Sequence, residues 1–294
     1  MTAYPPDASA MRKHSRKETL MQQSKAGGAF LHHVGAAMRA AGRCAVITGA
    51  ASGLGAAAAH RLAAEGARVV IADLDGERAM TMARQIDPGG RRVVGLACDI
   101  ARDEDNERMV RDAEAFFDAP IDLFVANAGV GFSGSLLDAS SAQIRRTVEV
   151  NVTGSLLSAQ AALRSMVQGP SSCLIFTGSL QSVLARPQRS AYTASKHAIV
   201  GMVKALALEL GQRGVRVNAV APTATDTPFL RAQWAATGQY VASHLQAAQQ
   251  SLPLGRLPDP EDYAQAVLFL ASGHAKSITG HTLMLDCGAS AGRM

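Results

Sequence analysis

The chain has 294 residues, 48% of them hydrophobic, and carries 29 Lys/Arg against 24 Asp/Glu. Seven of those basic residues and two of the acids fall in residues 1–43, so the rest is balanced at 22 against 22, which gives no case for nucleic-acid binding by the body of the chain. No apolar run approaches the ~20 residues that span a membrane, and the scattered Cys44, Cys98, Cys173 and Cys287, with no Cys-x-x-Cys pair, argue against a zinc cluster or disulfide framework and suit a reducing, cytoplasmic setting.

Residues 1–42 show no stable periodicity. They mix Pro5-Pro6, clustered Lys/Arg, Gln22-Gln23 and Gly27-Gly28, the composition of a disordered extension. A secretory signal needs an unbroken apolar core, and His32-His33 interrupts the one candidate. Asp7, Glu18 and the prolines count against an organelle presequence, and translation from Met11, Met21 or Met38 is a further reading. An inert extension or a late start is favoured, with residues 1–38 dispensable for fold and activity.

From Cys44 the pattern becomes regular. Ala45-Val46-Ile47 reads as a strand, Thr48 to Gly55 as a glycine turn and Ala56 to Glu65 as a helix closed by Gly66. Val69 to Ala72 is a second strand ending on Asp73. Such a turn lets backbone N–H groups approach a pyrophosphate with no Cβ in the way, and the helix that follows offers unpaired N–H groups and the positive end of its dipole. Asp73 lies 18 residues past Gly55, close to the ~20 expected of an acid that accepts both ribose hydroxyls of an adenosine. The glycines alone are equally consistent with a plain turn. The spacing is not that of a Walker A loop, because no Lys-Ser/Thr follows.

Strand and helix then alternate at roughly thirty-residue intervals, the signature of βαβ units. Strands are expected at Arg92–Cys98, Ile121–Ala126, Cys173–Thr177, Val215–Val220 and Leu283–Asp286. Helices are expected at Asp103–Phe117, about Ser140–Val167 and Ala191–Arg213, with a helical lid over Phe229–Gln250. Apolar strands buried on both faces imply a parallel sheet covered by helices on each side. Right-handed crossovers make it an α/β, single-domain, Rossmann-like doubly wound sheet over residues 43–294. Ligands of such sheets bind beyond the carboxyl ends of the strands.

Those ends hold the chemistry-bearing residues. Asp99-Ile100 follows the third strand, where Asp99 by itself is equally an N-cap. Asn127-Ala128-Gly129 follows the fourth and by itself is equally a strand-ending turn. Ser179 follows the fifth, and Tyr192 and Lys196 lie one turn apart on one helix face. A phenol near its ordinary pKa of ~10 is a poor base at neutral pH, and a cation beside it favours the phenolate. Asn151 is an unfavourable residue in mid-helix, which fits a functional reason.

Taken together, Thr48-Gly49-x-x-x-Gly53-x-Gly55, Asn127-Ala128-Gly129 and Tyr192-x-x-x-Lys196 resemble the short-chain dehydrogenase/reductase family. The resemblance covers about Arg43 to Gly288. It implies a catalytic set of Asn151, Ser179, Tyr192 and Lys196, with Asn151 holding a water that links the lysine to solvent. It also implies a dinucleotide held by Gly49, Ser52, Gly53, Leu54 and Gly55, by Asp73 at the ribose, by Asp99 and Ile100 near the adenine, by Asn127, Ala128 and Gly129, by Tyr192 and Lys196, and by Pro222 and Thr227 near the nicotinamide. No metal is implied. Thr223 and Cys287 stand where the family usually has glycine.

The implied activity is hydride transfer between NAD and a small-molecule secondary alcohol or its ketone. Asp73 would repel the 2′-phosphate of NADP, and Ser52 occupies a position where NADP-preferring relatives often place a base. The alternatives are an NADP-linked 3-oxoacyl-thioester reductase and, from another class, a non-catalytic nucleotide-binding regulator, which typically lacks the Tyr or Lys. Phe229, Leu230, Trp234, Tyr240, Val241 and Leu245 point to a hydrophobic or mixed substrate, or simply pack the lid. Gln181, Ser182 and Val183 are expected along the pocket. Arg186 and Arg189 could meet an acidic substrate group, though exposed arginines are usually solvated. Apolar residues around most of the two long helices imply burial on both sides, and the family resemblance makes that a homotetramer.

Overall fold

Runs such as Ala45-Val46-Ile47, Val69-Val70-Ile71 and Leu123-Phe124-Val125 are completely buried because both of their faces are covered. They belong to a seven-stranded sheet in the computed structural model, which describes residues 39–169, 171–235 and 241–292. The strands are β1 (Cys44–Thr48), β2 (Arg68–Asp73), β3 (Val93–Ala97), β4 (Leu123–Ala126), β5 (Ser172–Thr177), β6 (Val215–Pro222) and β7 (Thr282–Leu285). Their order is β3-β2-β1-β4-β5-β6-β7, and every neighbouring pair is parallel. The order reverses between β1 and β4, which opens a crevice at their carboxyl ends. This is the Rossmann-like doubly wound sheet.

The helices are α1 (Gly53–Ala64), α2 (Gly76–Ile86), α3 (Asp103–Phe117), α4 (Ser141–Val148), α5 (Ser155–Met166), α6 (Ser190–Leu210), α7 (Pro228–Ala235), α8 (Val241–Gln250) and α9 (Pro260–Ala271). Alternation along the strands feeds two separate cores. Val46, Val70, Phe124, Leu174 and Val217 pack with Phe117 of α3, Met166 of α5 and Val203 of α6. Ile47, Ile71, Val125 and Ile175 face the other way, onto Leu62 of α1, Ala79 of α2 and Val267 of α9. No helix among the described residues is long and apolar enough to cross a membrane.

Four features differ from the sequence reading. The helix expected over Ser140–Val167 is broken by a π-helical segment, Glu149–Gly154, and Asn151 lies inside it. Helices α2 and α9 were given no range from the sequence, although Asp259 caps α9 by accepting from the Asp262 N–H and Pro260 occupies its first turn. Of the 1–42 extension, residues 1–38 lie outside the described residues, but Arg39–Gly42 is folded onto the body. The Ala40 N–H donates to the Glu65 carbonyl, and the Arg39 guanidinium pairs with the Glu65 carboxylate at 3.1 Å. The lid is two helices, α7 and α8; Tyr240 lies outside the described residues.

Candidate active site

The first turn of the site is built by β1 running into α1. Gly49 has φ of +62°, and a Cβ on it would lie 2.7 Å from the Ala128 Cα. The turn after β1 and the loop after β4 therefore touch backbone to backbone, which only glycine permits. A Cβ on Gly55 would fall 2.6 Å from the Gly49 carbonyl and 2.7 Å from Asn127 Nδ2, so Gly55 sits behind the turn and not in the cleft.

Asn127 joins three strand ends. Its Nδ2 donates to the Thr48 and Gly49 carbonyls at 3.0 Å each, and its Oδ1 accepts from Thr177 Oγ1 at 3.2 Å. The Thr48 hydroxyl in turn accepts from the Asn127 and Ala128 N–H groups at 3.1 Å. From the opposite layer Tyr263 of α9 reaches Thr177 Oγ1 at 2.6 Å.

One cleft of about 350 Å³ crosses the carboxyl ends of the strands. It is lined by Gly49, Ser52, Gly53, Leu54, Asp73, Asp99, Ile100, Asn127, Ala128, Gly129, Ser179, Tyr192, Lys196, Pro222 and Thr227. Every residue assigned to the site from the sequence is there except Gly55 and Asn151. Asn151 is buried, and its side chain is a brace. Its Oδ1 accepts from the Val130 N–H at 2.8 Å, and its Nδ2 donates to the Val130 carbonyl at 2.9 Å and to Ser195 Oγ at 3.1 Å. It thus ties the loop after β4 to α6. Asp99 is not the cap of α3; it closes its own turn by accepting from the Ala101 N–H at 3.0 Å, while Arg102 precedes the helix.

Asp73 is fixed at the tip of β2. One carboxylate oxygen accepts from the Ala51 N–H at 3.0 Å and the other from the Asp75 N–H at 3.1 Å. Each oxygen keeps a lone pair for a hydroxyl donor. Ser52, Leu54, Leu74 and Asp99 line the same cleft, and among the described residues no cationic side chain is hydrogen-bonded or ion-paired to the Asp73 carboxylate.

At the other end, the Ser179 side chain stands close enough to the Tyr192 phenol to favour its ionised form. Ser182 does not line the cleft but accepts from the Ser179 N–H at 3.1 Å and so sets the Ser179 backbone. Burial pushes the Tyr192 phenol above its ordinary value, against opposing pulls from the Ser179 side chain and the Arg189 charge. Lys196 is buried, and its Nζ donates to the Thr177 carbonyl at 2.8 Å and stands 5.7 Å from the Tyr192 ring centre. Burial lowers its pKa to about 8. Arg189, not singled out beside Tyr192 from sequence, is thus the cation that bears on the phenol. Its position three residues ahead of the tyrosine on the same turn was the available signal.

The substrate side is walled by Gln181 and by Phe229, Leu230, Gln233 and Trp234 of α7. Val183 is exposed and lies off the cleft, as do Val241 and Leu245 of α8, which contacts α7 through His244 against Trp234. Thr223 lines the cleft and donates its N–H to the Leu285 carbonyl at 3.1 Å. Cys287 adopts φ of +52°, the left-handed conformation that glycine takes without strain.

These residues fit a dinucleotide. The glycine cradle faces the cleft from the start of α1, Asp73 has acceptor capacity for ribose hydroxyls, and the Lys196 ammonium has donors beyond the one used on Thr177.

A family model described as enoyl-(acyl carrier protein) reductase matches residues 49–290. The chain is 36% identical to cis-4-hydroxycyclohexanecarboxylate dehydrogenase of Sinomonas cyclohexanicum, over 85% of this chain and 97% of that one. It is 38% identical to (-)-isopiperitenol/(-)-carveol dehydrogenase of Mentha piperita, over 84% and 93%. A crystal structure of 3-ketoacyl-(acyl-carrier-protein) reductase from Brucella melitensis complexed with NADH superposes with a TM-score of 0.77 at 32% identity, covering 85% of this chain and 99% of that one. With likeness at this level along nearly the whole sheet and its cleft, the chain belongs to the short-chain dehydrogenase/reductase family, as an oxidoreductase exchanging hydride between a nicotinamide cofactor and an alcohol or its ketone.

Proposed function

We propose that the chain is an NAD(H)-dependent dehydrogenase of a ring-bearing or otherwise apolar secondary alcohol. The observation that carries this reading is the Ser179–Tyr192 hydroxyl pair beside the buried Lys196. Two curated relatives are named for dehydrogenation of cyclic alcohols, and Phe229, Leu230 and Trp234 give this cleft an apolar wall that suits one. The Brucella melitensis neighbour, a 3-ketoacyl reductase, keeps a 3-oxoacyl thioester as the second reading, to be run in the same substrate panel. Retention of both Tyr192 and Lys196 speaks against a non-catalytic regulator.

The cofactor supplies a nicotinamide carbon that accepts or returns hydride. In oxidation, the Tyr192 phenolate takes the proton of the substrate hydroxyl. Ser179 donates to the same oxygen and holds it. Lys196 binds ribose hydroxyls, and the charge of Arg189 favours the phenolate. Asn151 holds the loop after β4 and, with a water, passes the proton outward. Because burial raises the Tyr192 pKa, oxidation should climb with pH through the alkaline range toward a plateau. Removing a general base costs about 10²–10⁴-fold in rate, so Tyr192→Phe should lose that much turnover and keep NADH binding. Near-normal turnover in that variant would rule out the mechanism.

Asp73, whose carboxylate has no cationic partner among the described residues, supports a preference for NAD(H). Hydrogen bonds to a charged group contribute about 1.5–3 kcal/mol, or roughly 10- to 150-fold. Asp73→Ala should raise KM for NAD by an amount in that range and narrow the preference over NADP, as read by steady-state kinetics with both coenzymes. Equal use of the two by the wild type would refute the assignment.

Lys196 gives a test independent of turnover. Its folded-state pKa of about 8 lies below the ordinary lysine value of 10.5, so the folded chain holds fewer protons between those two values. Stability of the apoprotein should then rise with pH from about 8 to about 10.5 by this contribution. The difference in unfolding free energy between wild type and Lys196→Met should show that slope in denaturant melts. A flat difference would mean that the ammonium is not desolvated.

A cytoplasmic homotetramer is the assembly we propose. The outward face of α6 carries Ala194, Gly201, Ala205 and Leu208, all exposed in the single chain, with Leu208 86% exposed. Small residues flanking an apolar one suit a helix-to-helix contact between copies. Sedimentation velocity at micromolar concentration should give a tetramer; a monomer would end the proposal.

A further inference from the structure

The hydride reaction needs a base, a hydroxyl donor and a cofactor site. Beside them the fold places a guanidinium whose charge favours the Tyr192 phenolate but whose hydrogen-bond donors that reaction does not use. Arg189 is the residue before the first turn of α6, half-buried, and it lines the cleft. Its Nη1 donates to the Phe132 carbonyl at 3.1 Å and to Gln233 Oε1 at 2.5 Å. Both acceptors are neutral. Arg186 lines the same end of the cleft, and its charge lies close enough to depress the Arg189 pKa, as burial also does. Among the described residues neither arginine forms an ion pair. The only acids that line the cleft, Asp73 and Asp99, follow β2 and β3 on the far side of β1 and β4. A partly buried cation with a like-charged neighbour and no carboxylate partner is a costly arrangement.

Gln233 supplies the second observation. Its Oε1 is fixed as the acceptor, because the opposite amide orientation would set two donors against each other. Its Nε2 is then buried with no partner. The side chain lies so close to the loop after β4 that a Cβ on Gly131 would meet Nε2 at 1.8 Å. The amide therefore packs where only glycine leaves room, with Nε2 closed off against that loop, and it acts through Oε1, which holds one guanidinium nitrogen in place. The remaining guanidinium donors match a planar acceptor bearing negative charge, and a carboxylate has that shape.

We propose that Arg189, held in place by Gln233, and Arg186 form an anion subsite, and that the physiological substrate is a secondary alcohol, or its ketone, carrying a carboxylate. The substrate carboxylate lies on the Arg189 guanidinium, its apolar body packs on α7, and its hydroxyl reaches Ser179 and Tyr192. Arg186, exposed at the rim, attracts the anion and adds little to its binding. This rests on the dehydrogenase reading above for the hydroxyl and on the arginine cluster alone for the carboxylate.

Binding and turnover test it separately, with the full chain in complex with NADH. Calorimetry should show that cyclohexanecarboxylate binds about 10- to 150-fold more tightly than cyclohexanecarboxamide, the range of a charged hydrogen-bonded contact. Arg189→Gln should abolish that preference, and Arg186→Gln should reduce it only a few-fold; NADH affinity reports that each variant is folded. In turnover, 3- and 4-hydroxycyclohexanecarboxylate should surpass their methyl esters in kcat/KM, and Arg189→Gln should lower that ratio at least about 10-fold through KM. Equal binding of carboxylate and carboxamide by the wild type, or a preference that survives Arg189→Gln, overturns the subsite. Tight, Arg189-dependent carboxylate binding with no alcohol or ketone turned over overturns the dehydrogenase reading and leaves the subsite standing.

Discussion

The cleft depends on the hydrogen bonds of one amide, that of Asn127. Parallel strands of a doubly wound sheet end in loops that diverge, and nothing in the sheet itself holds those loops in register past the last ladder bond. Asn127 supplies the missing tie by donating to β1 and the glycine turn while accepting from Thr177 at the end of β5. The Thr177 carbonyl then receives Lys196, and its hydroxyl receives Tyr263 from the other layer. The cradle after β1 and the reacting groups on α6 are in this way referred to a common point. Buried polar groups of this kind stabilise only when all are satisfied, and here each atom of the Asn127 amide has a partner.

Around that point the cleft is polarised. The β2–β3 end presents carboxylates held by backbone N–H groups, ready to accept from hydroxyls. The α6 end presents the Lys196 ammonium and the Arg189 guanidinium with Arg186 near it, and Arg146 of α4 also lines the cleft. Burial works on both kinds of group in the reacting half, lowering the pKa of Lys196 and raising that of Tyr192. The cost of keeping that lysine charged is offset only when something accepts its spare donors.

Much of this was legible in the sequence, for definite reasons. Strands buried on both faces write themselves as unbroken apolar runs, and Asp103–Phe117 announced both ends because its first turn is acidic and Asp118 can take the left-handed conformation that ends it. That the glycine turn, Asp73, Ser179, Tyr192 and Lys196 share one cleft was legible because strand ends of such a sheet and one turn of α6 fall at regular spacings along the chain. What escaped was whatever depends on partners distant in the chain. Arg189 meets Gln233 across 44 residues of sequence, and no local pattern encodes that. The π segment escaped because its side chains are ordinary helix-face residues. Val183 escaped because the short 3-10 turn Leu180–Ser182 swings it outward while keeping Gln181 within. Helix α9 is the exception, since its capping box was plain in Asp259-Pro260-Glu261-Asp262.

The π segment between α4 and α5 has a consequence for how the gene can vary in length. A π turn spends an extra residue relative to an α turn. Loss of one residue within Glu149–Gly154 would let the segment relax into a plain α turn, and α5 would keep its facing, with Ala159, Ala162 and Met166 still in the core. Loss of one residue within α5 itself has no such slack and would rotate every later position by about 100° about the axis. The π segment is thus a place where this helical stretch can change its length by one residue without turning its core face away, at the expense of the brace that Asn151 provides.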